Sequence, residues 1–237
     1  KTLHAGTSSP LLGCHVTMQM PAADRERMCA LYDERFAEHG VSPESLGWTK
    51  GRQDIRFNAL LDLLEGEGNS FLDIGCGFGD LNDALVARDQ SYRYLGVDMV
   101  ENFVDEGKVR RGSDTVEFQA GDFMATEFEG SFDCVIASGV FSFQLEDADQ
   151  YAYIQSALER MLELCNVGVA VDFLSDRVNY REDHCFHTQP ERVLGLALEL
   201  TRRVRLRHDY LPFEFAVALF KDDTYDEENA VYNPLTK

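Results

Sequence analysis

Between residues 71 and 80 the chain reads Phe-Leu-Asp-Ile-Gly-Cys-Gly-Phe-Gly-Asp, an apolar run that empties into three glycines at alternate positions. Glycine tolerates the backbone of a tight turn and lets the main chain come close to a ligand. A helix start just beyond such a turn offers unpaired N–H groups. Residues 70–74 are therefore expected as a buried strand and 81–88 as the helix that follows. The same texture recurs downstream. Strands are expected at 93–97 (closed by Asp98), 116–119, 132–137 and 167–174, with helices at 101–110 and 146–165. Strand alternating with helix argues for a parallel sheet between helical layers. After a helix at 190–201, strands at 204–210 and 214–221 are separated only by Leu211, Pro212 and Phe213. That link is too short for a crossover, so this last pair must be antiparallel. The expected fold class is α/β, with a seven-stranded, mostly parallel sheet finished by an antiparallel hairpin.

Upstream of the first strand the pattern is helical. Pro21 to Glu38 carries Met28, Leu31, Tyr32 and Phe36 at helical spacing, and Arg52 to Glu65 carries Ile55, Phe57, Leu60, Leu61 and Leu64. Gly40 stops the first helix, and Gly66 with Gly68 stops the second. The expected organisation is an arm over 1–20, a helical cap over 21–66 and the sheet domain over 67–237. Met18 and Met20 are both open as a native start. The polar stretch 175–189 suits a lid, and the acidic tail from Asp222 is expected to fray.

Charge narrows the partners. The chain of 237 residues holds 22 Lys plus Arg against 42 Asp plus Glu, a net charge of −20. Such a chain repels polyphosphate and anionic lipid, which argues against nucleic acid and membrane surfaces as partners. Apolar residues make up 44%, ordinary for a globular protein. No apolar run approaches the ~18 residues of a membrane helix; the strongest, Val167 to Leu174, is interrupted by Asp172. The six cysteines show no CxxC pair, and several lie in apolar runs, which fits a reduced, cytoplasmic setting. The first twenty residues lack the layout of a signal peptide.

A glycine turn alone is not specific, but three companions sharpen it. Asp73 ends the first strand. Asp98 ends the second, 23 residues after Gly75, where a carboxylate can take both hydroxyls of a ribose. Gly121-Asp122-Phe123 follows the third strand, where an adenine ring would lie. In order and spacing, these motifs resemble the class I S-adenosylmethionine (SAM)-dependent methyltransferases. The loop is GxGxG over 75–79 with an Asp two residues upstream, unlike the GxGxxG of nicotinamide enzymes. The resemblance implies that SAM is the cofactor and that the 73–79 loop cradles its methionine part. It implies that Asp98 takes the ribose and Asp122 the adenine amine, and that the strand over 132–139 borders the transferred methyl. The cofactor contacts it implies are Asp73, Gly75, Cys76, Gly77, Gly79, Asp98, Met99, Asp122, Phe123 and Ser138.

The acceptor is less legible. Relatives that methylate nucleic-acid amines carry an Asn/Asp-Pro-Pro-aromatic motif after the fourth strand, where this chain reads Ser138-Gly139-Val140-Phe141-Ser142-Phe143. That difference, with the net charge, points to the small-molecule branch. Tyr32, Trp48 and Gln53 are candidates to close over the sulfonium, since aromatic faces suit a cation, with Phe141 and Ser142 beside them. For Tyr32 and Trp48, plain packing that staples the cap helices to the sheet is the slightly favoured reading. Candidate bases are Tyr180, His184 and His187 in the loop, and His208 beside Asp209; Tyr180 is the one selected. His184-Cys185-Phe186-His187, with Glu182 and Asp183, is too thin a cluster to call a metal site, and no metal is expected. The expected activity is methyl transfer to an O or N atom of a small metabolite. Two alternatives stay open: a SAM-cyclising enzyme of the azetidine-2-carboxylate synthase type, releasing methylthioadenosine, and a SAM-binding protein without turnover. The oligomeric state is not legible.

Overall fold

A computed structural model describes residues 18–48, 52–65, 68–88 and 91–222. The elements run α1 (Ala22–His39), α2 (Gln53–Leu63), β1 (Ser70–Ile74), α3 (Leu81–Val86), β2 (Arg93–Asp98), α4 (Glu101–Arg111), β3 (Val116–Ala120) and β4 (Phe132–Ala137). A short turn of 3₁₀ helix follows at Val140–Ser142. Then come α5 (Gln150–Leu164), β5 (Cys165–Leu174), α6 (Pro190–Leu200), β6 (Val204–Leu211) and β7 (Glu214–Phe220). The seven strands form one sheet in the order β3-β2-β1-β4-β5-β7-β6. The first five are mutually parallel, and β7 runs antiparallel to both β5 and β6. The chain winds outward from β1 through β2 to β3, then crosses back to β4. That reversal opens a crevice at the carboxyl ends of β1 and β4.

The strand sequences explain the layering. Successive side chains face opposite sides: Leu72, Ile74, Val135, Val169, Val171 and Val217 meet α5 and α6. Phe71, Ile136, Ala170, Ala216, Ala218 and Phe220 meet α2, α3 and α4. The alanines let α2 lie close on β5 and β7. The second helix of the expected cap is thus part of the sheet's own helical layer; α1 and residues 40–48 lie over the crevice. There Tyr32 and Phe36 pack edge-on against Phe103, with ring centroids 6.0 and 5.9 Å apart. The outer strand β6 carries Arg205 and Arg207, charges that discourage a further strand from adding.

Two expectations shift. The helix expected from 146 begins at Gln150. The buried carboxylate of Asp24 accepts the N–H groups of Glu146 (3.0 Å) and Asp147 (3.1 Å), holding that segment against α1 instead. The Asp149 side chain then caps the helix through Ala152 N (2.7 Å). Burial works against the charge of Asp24, but these donors and Arg27 hold its pKa below the usual carboxylate value. The second shift concerns the expected arm. Met20 is buried in the core and Met18 N donates to Ser156 Oγ (3.0 Å), so residues 18–20 pack onto α5. The rest of the arm, the stop at Gly66, Cys14 and the tail beyond Asp222 lie outside the described residues. No described helix is long and apolar enough to cross a membrane.

Candidate active site

The turn after β1 is fixed by the neighbouring strand: Gly75 N and Cys76 N both donate to Val97 O, at 2.8 and 3.1 Å. Gly77 has φ +54, and a Cβ there would fall 2.8 Å from Leu46 Cδ2, so the loop passes directly beneath the segment leading out of α1. Asp98 closes the turn from the β2 side, accepting from Gly77 N (2.8 Å) and Val100 N (2.9 Å). An ionised carboxylate has about four lone-pair positions, so two remain free for a diol. Asp73 is buried at the end of β1, with Tyr94 donating its hydroxyl proton to Oδ2 at 2.7 Å. Burial pushes the Asp73 pKa up to about 7 against the Tyr94 hydrogen bond, and the nearby carboxylates of Asp98, Asp80 and Asp172 add to the rise. Burial likewise raises Asp98. Asp73, Asp80 and Asp98 all line this end of the cleft.

The other end is unsatisfied. Asp122 Oδ1 accepts from Met124 N (3.0 Å), while its buried Oδ2 has no hydrogen-bond partner, only Arg25 Nη1 at 3.6 Å. The buried hydroxyl of Tyr153 is also without a partner. Burial, then the field of Asp122, raises its pKa.

The fourth strand's loop is held from below by a residue the sequence flagged only as an interruption. Asp172 on β5 accepts from Ser138 Oγ and Gly139 N, both at 2.6 Å. Burial lifts its pKa to about 6, although Arg56, Ser138 and Gly139 all favour the charge. Gly139 has φ +74, and a Cβ there would sit 2.5 Å from Trp48 Cζ2, so the Trp48 ring lies flush on this loop. Trp48 is in turn stacked by Arg56, whose Cζ is 3.6 Å from the ring centroid. A bidentate pair from Arg56 to Glu214 at the start of β7 fixes the guanidinium.

Two adjoining cavities result. The first, about 110 Å³, is lined by the glycine turn, Asp73, Asp98, Phe123, Ser138 and Tyr153. The second, about 640 Å³, opens between α1, the loop over 175–189 and the start of β7. Tyr32, Leu46, Trp48, Gly139 and Phe143 border both.

A methyltransferase domain family matches residues 71–163. A protein of Mycobacterium tuberculosis provisionally named a methyltransferase is 28% identical over 159 residues, covering 64% of this chain and 93% of that protein. The stretch from β1 into α5 is a methyltransferase domain. A second relative, the malonyl-[acyl-carrier protein] O-methyltransferase of Acetivibrio thermocellus, is 30% identical over 89 residues, which span 36% of this chain and 31% of that protein. Among solved structures, the N-methyltransferase NodS from Bradyrhizobium japonicum, in complex with S-adenosyl-L-homocysteine (SAH), superposes with a TM-score of 0.60. It has 15% identity and covers 80% of this chain and 98% of its own.

Of the expected cofactor contacts, Asp73, Gly75, Cys76, Gly77, Asp98, Met99, Phe123 and Ser138 line the smaller cavity, as do Tyr32, Trp48 and Gln53. Gly79 does not border it; it turns the chain into α3 against Phe118. Asp122 is not among the residues lining that cavity, although its neighbours Gly121 and Phe123 are. Ser142 faces the larger cavity, its hydroxyl donating to Gly139 O at 2.7 Å. Phe141 is a correction: it borders neither cavity and is buried in the core, stacked on Phe173 with centroids 5.5 Å apart.

Tyr180 needs the same treatment. It lines the larger cavity but is 58% exposed, and its hydroxyl donates to Glu182, which holds the phenol pKa above its usual value. A phenol that keeps its proton is a poor base. His184 is exposed beside Glu182 at 3.3 Å. His208 lies exposed on β6, while its neighbour Asp209 is engaged by Arg207 (2.7 Å). Glu182, His184 and Cys185 bring ligand atoms within 4.8 Å of one another, with the first two exposed. Pattern reading missed Asp172 and the pairing of Arg56 with Glu214. Asp172 alone left a signal, as a lone carboxylate inside an apolar strand.

Proposed function

We propose that SAM lies in the smaller cavity and that its methyl goes to an O or N atom of a small molecule held in the larger one. The observation carrying this reading is the shared wall of Trp48, Gly139 and Phe143 between a carboxylate-lined cleft and a second, roomier cavity. In this reading Asp98 takes the ribose hydroxyls on its free lone pairs. Asp73 faces the ammonium end, and the orphan Asp122 Oδ2 and Tyr153 hydroxyl meet the adenine edge. The cofactor supplies an electrophilic methyl on a sulfonium, and the protein's task is to align a nucleophile and exclude water. Trp48, locked by Arg56 and Gly139, gives the wall between the two cavities a fixed shape. Small-molecule acceptors agree with the net charge of −20.

An alcohol or ammonium acceptor needs a base, and His187 fits that task better than Tyr180. Its Nδ1 lies 3.1 Å from Ser175 O, which can only accept, so the proton sits on Nδ1. Nε2 is left with a lone pair and no partner, on a residue that lines the larger cavity. Titrating the full chain with SAM and SAH by calorimetry tests the site. One-to-one binding that Asp98→Ala abolishes supports it, and unchanged affinity in that variant removes the cofactor assignment.

A further inference from the structure

Three guanidinium groups line the larger cavity, and they are not equivalent. Arg56 is consumed by Glu214 and by the Trp48 ring. Arg52 is 69% exposed and 4.0 Å from Asp54. Arg35, half-buried on α1, has no carboxylate within salt-bridge distance among the described residues, although the chain holds 42 acidic side chains. It is nevertheless held in place. Its Cζ stands 5.4 Å from the Tyr32 ring centroid. Gly47, at φ +80, leaves the room it occupies, since a Cβ there would fall 2.8 Å from Arg35 Nη1. Two acids on the cavity wall are engaged elsewhere: Glu214 by Arg56, and Glu182 by Tyr180 and His184.

We infer that Arg35 is the anion-recognition residue of the acceptor site, and that the acceptor is a small molecule carrying a carboxylate or a phosphate. The inference rests on the larger cavity being the acceptor site. A planar guanidinium matches either oxyanion through paired N–H donors, and a positioned, unpaired one loses little side-chain freedom on binding. Arg35 borders the larger cavity but not the smaller one. That leaves the rest of the acceptor to reach past Trp48 and Phe143, which border both cavities. A neutral analogue of the same shape would leave the guanidinium desolvated and unpaired, so the site selects against it.

The test uses the full chain saturated with SAH and three probes built on one phenyl ring: benzoate, its neutral isostere benzamide, and phenyl phosphate, followed by ligand-observed NMR titration. At least one anion should bind ten-fold or more tightly than benzamide. Benzoate alone marks a carboxylate acceptor, and phenyl phosphate alone marks a phosphate ester. Arg35→Gln should erase the preference at unchanged SAH affinity, Arg35→Lys should keep part of it, and Arg52→Gln should leave it intact. The inference is overturned if neither anion binds the SAH-loaded protein, if benzamide binds equally well, or if the preference survives Arg35→Gln or is lost in Arg52→Gln. Failure of the wild-type chain to bind SAH would overturn the cofactor reading itself, and this inference with it.

Discussion

The smaller cavity and the larger one are built by different means. Around the glycine turn, the backbone is itself the wall: Gly75 N and Cys76 N hang on Val97 O, and Gly77 N is tied to Asp98. These contacts repeat the register of the parallel strands beside them and involve residues within a single βαβ stretch. Around the larger cavity, side chains make the wall. Arg35, Trp48, Arg56, Phe143, His187 and Glu214 converge from separate elements, held by stacking and by one buried ion pair. A backbone-built site changes slowly with side-chain identity, whereas a side-chain-built one is free to vary. The division suits a constant cofactor on one side and a family-variable acceptor on the other.

Four substitutions probe that contrast, beginning with the largest effect. Arg56→Met strands Glu214 as a buried carboxylate without its cation and should cost about 3–5 kcal/mol in chemical denaturation. Adding Glu214→Leu should recover much of the loss. If instead the single variant is as stable as wild type, the ion pair does not organise the acceptor side. Next, His187→Ala should lower kcat on an alcohol or amine acceptor by roughly 10²–10⁴-fold while SAH affinity stays put. Asp122→Ala should weaken SAM by about 1–3 kcal/mol, measured calorimetrically, if its free oxygen meets the adenine. The smallest effect belongs to Tyr180→Phe, which should leave both turnover and melting temperature close to wild type; a large loss of turnover would restore Tyr180 as the base.

A pH series sharpens the cofactor side further. The Asp73 pKa is raised to about 7 in the fold, chiefly by burial, from 3.8 when exposed. Between those values the folded state holds a proton that the unfolded chain releases, so this residue's contribution makes stability fall as pH rises from 4 to 7. Asp73→Asn should therefore stabilise the protein more at pH 8 than at pH 4. SAM affinity should rise with pH through the same window in the wild type, because the ionised carboxylate is the form that favours a cation. A pH-independent affinity would place the ammonium away from Asp73.

How much of this could be read in the chain follows from the same contrast. Strands β1 and β4 fall on the residues the apolar runs delimit, because period and glycine punctuation are local signals. The 73–79 turn and the place of Asp98 at the end of β2 were legible for the same reason: both depend on neighbours in sequence. Phe141 was misassigned because an aromatic after β4 looks the same whether it faces a ligand or Phe173, and only packing decides. The Arg56–Glu214 pair spans 158 positions, and no local pattern announces it. The early start expected for α5 failed because a carboxylate on another helix, Asp24, captured the N–H groups of Glu146 and Asp147.

The most direct test of methyl transfer is incubation of the pure full chain with SAM alone, followed by mass spectrometry of the nucleoside products. A methyltransferase lacking its acceptor should bind SAM one-to-one and return it intact. Methylthioadenosine released over many turnovers would show attack on the methionyl chain, and would contradict the assignment of the larger cavity to a methyl acceptor.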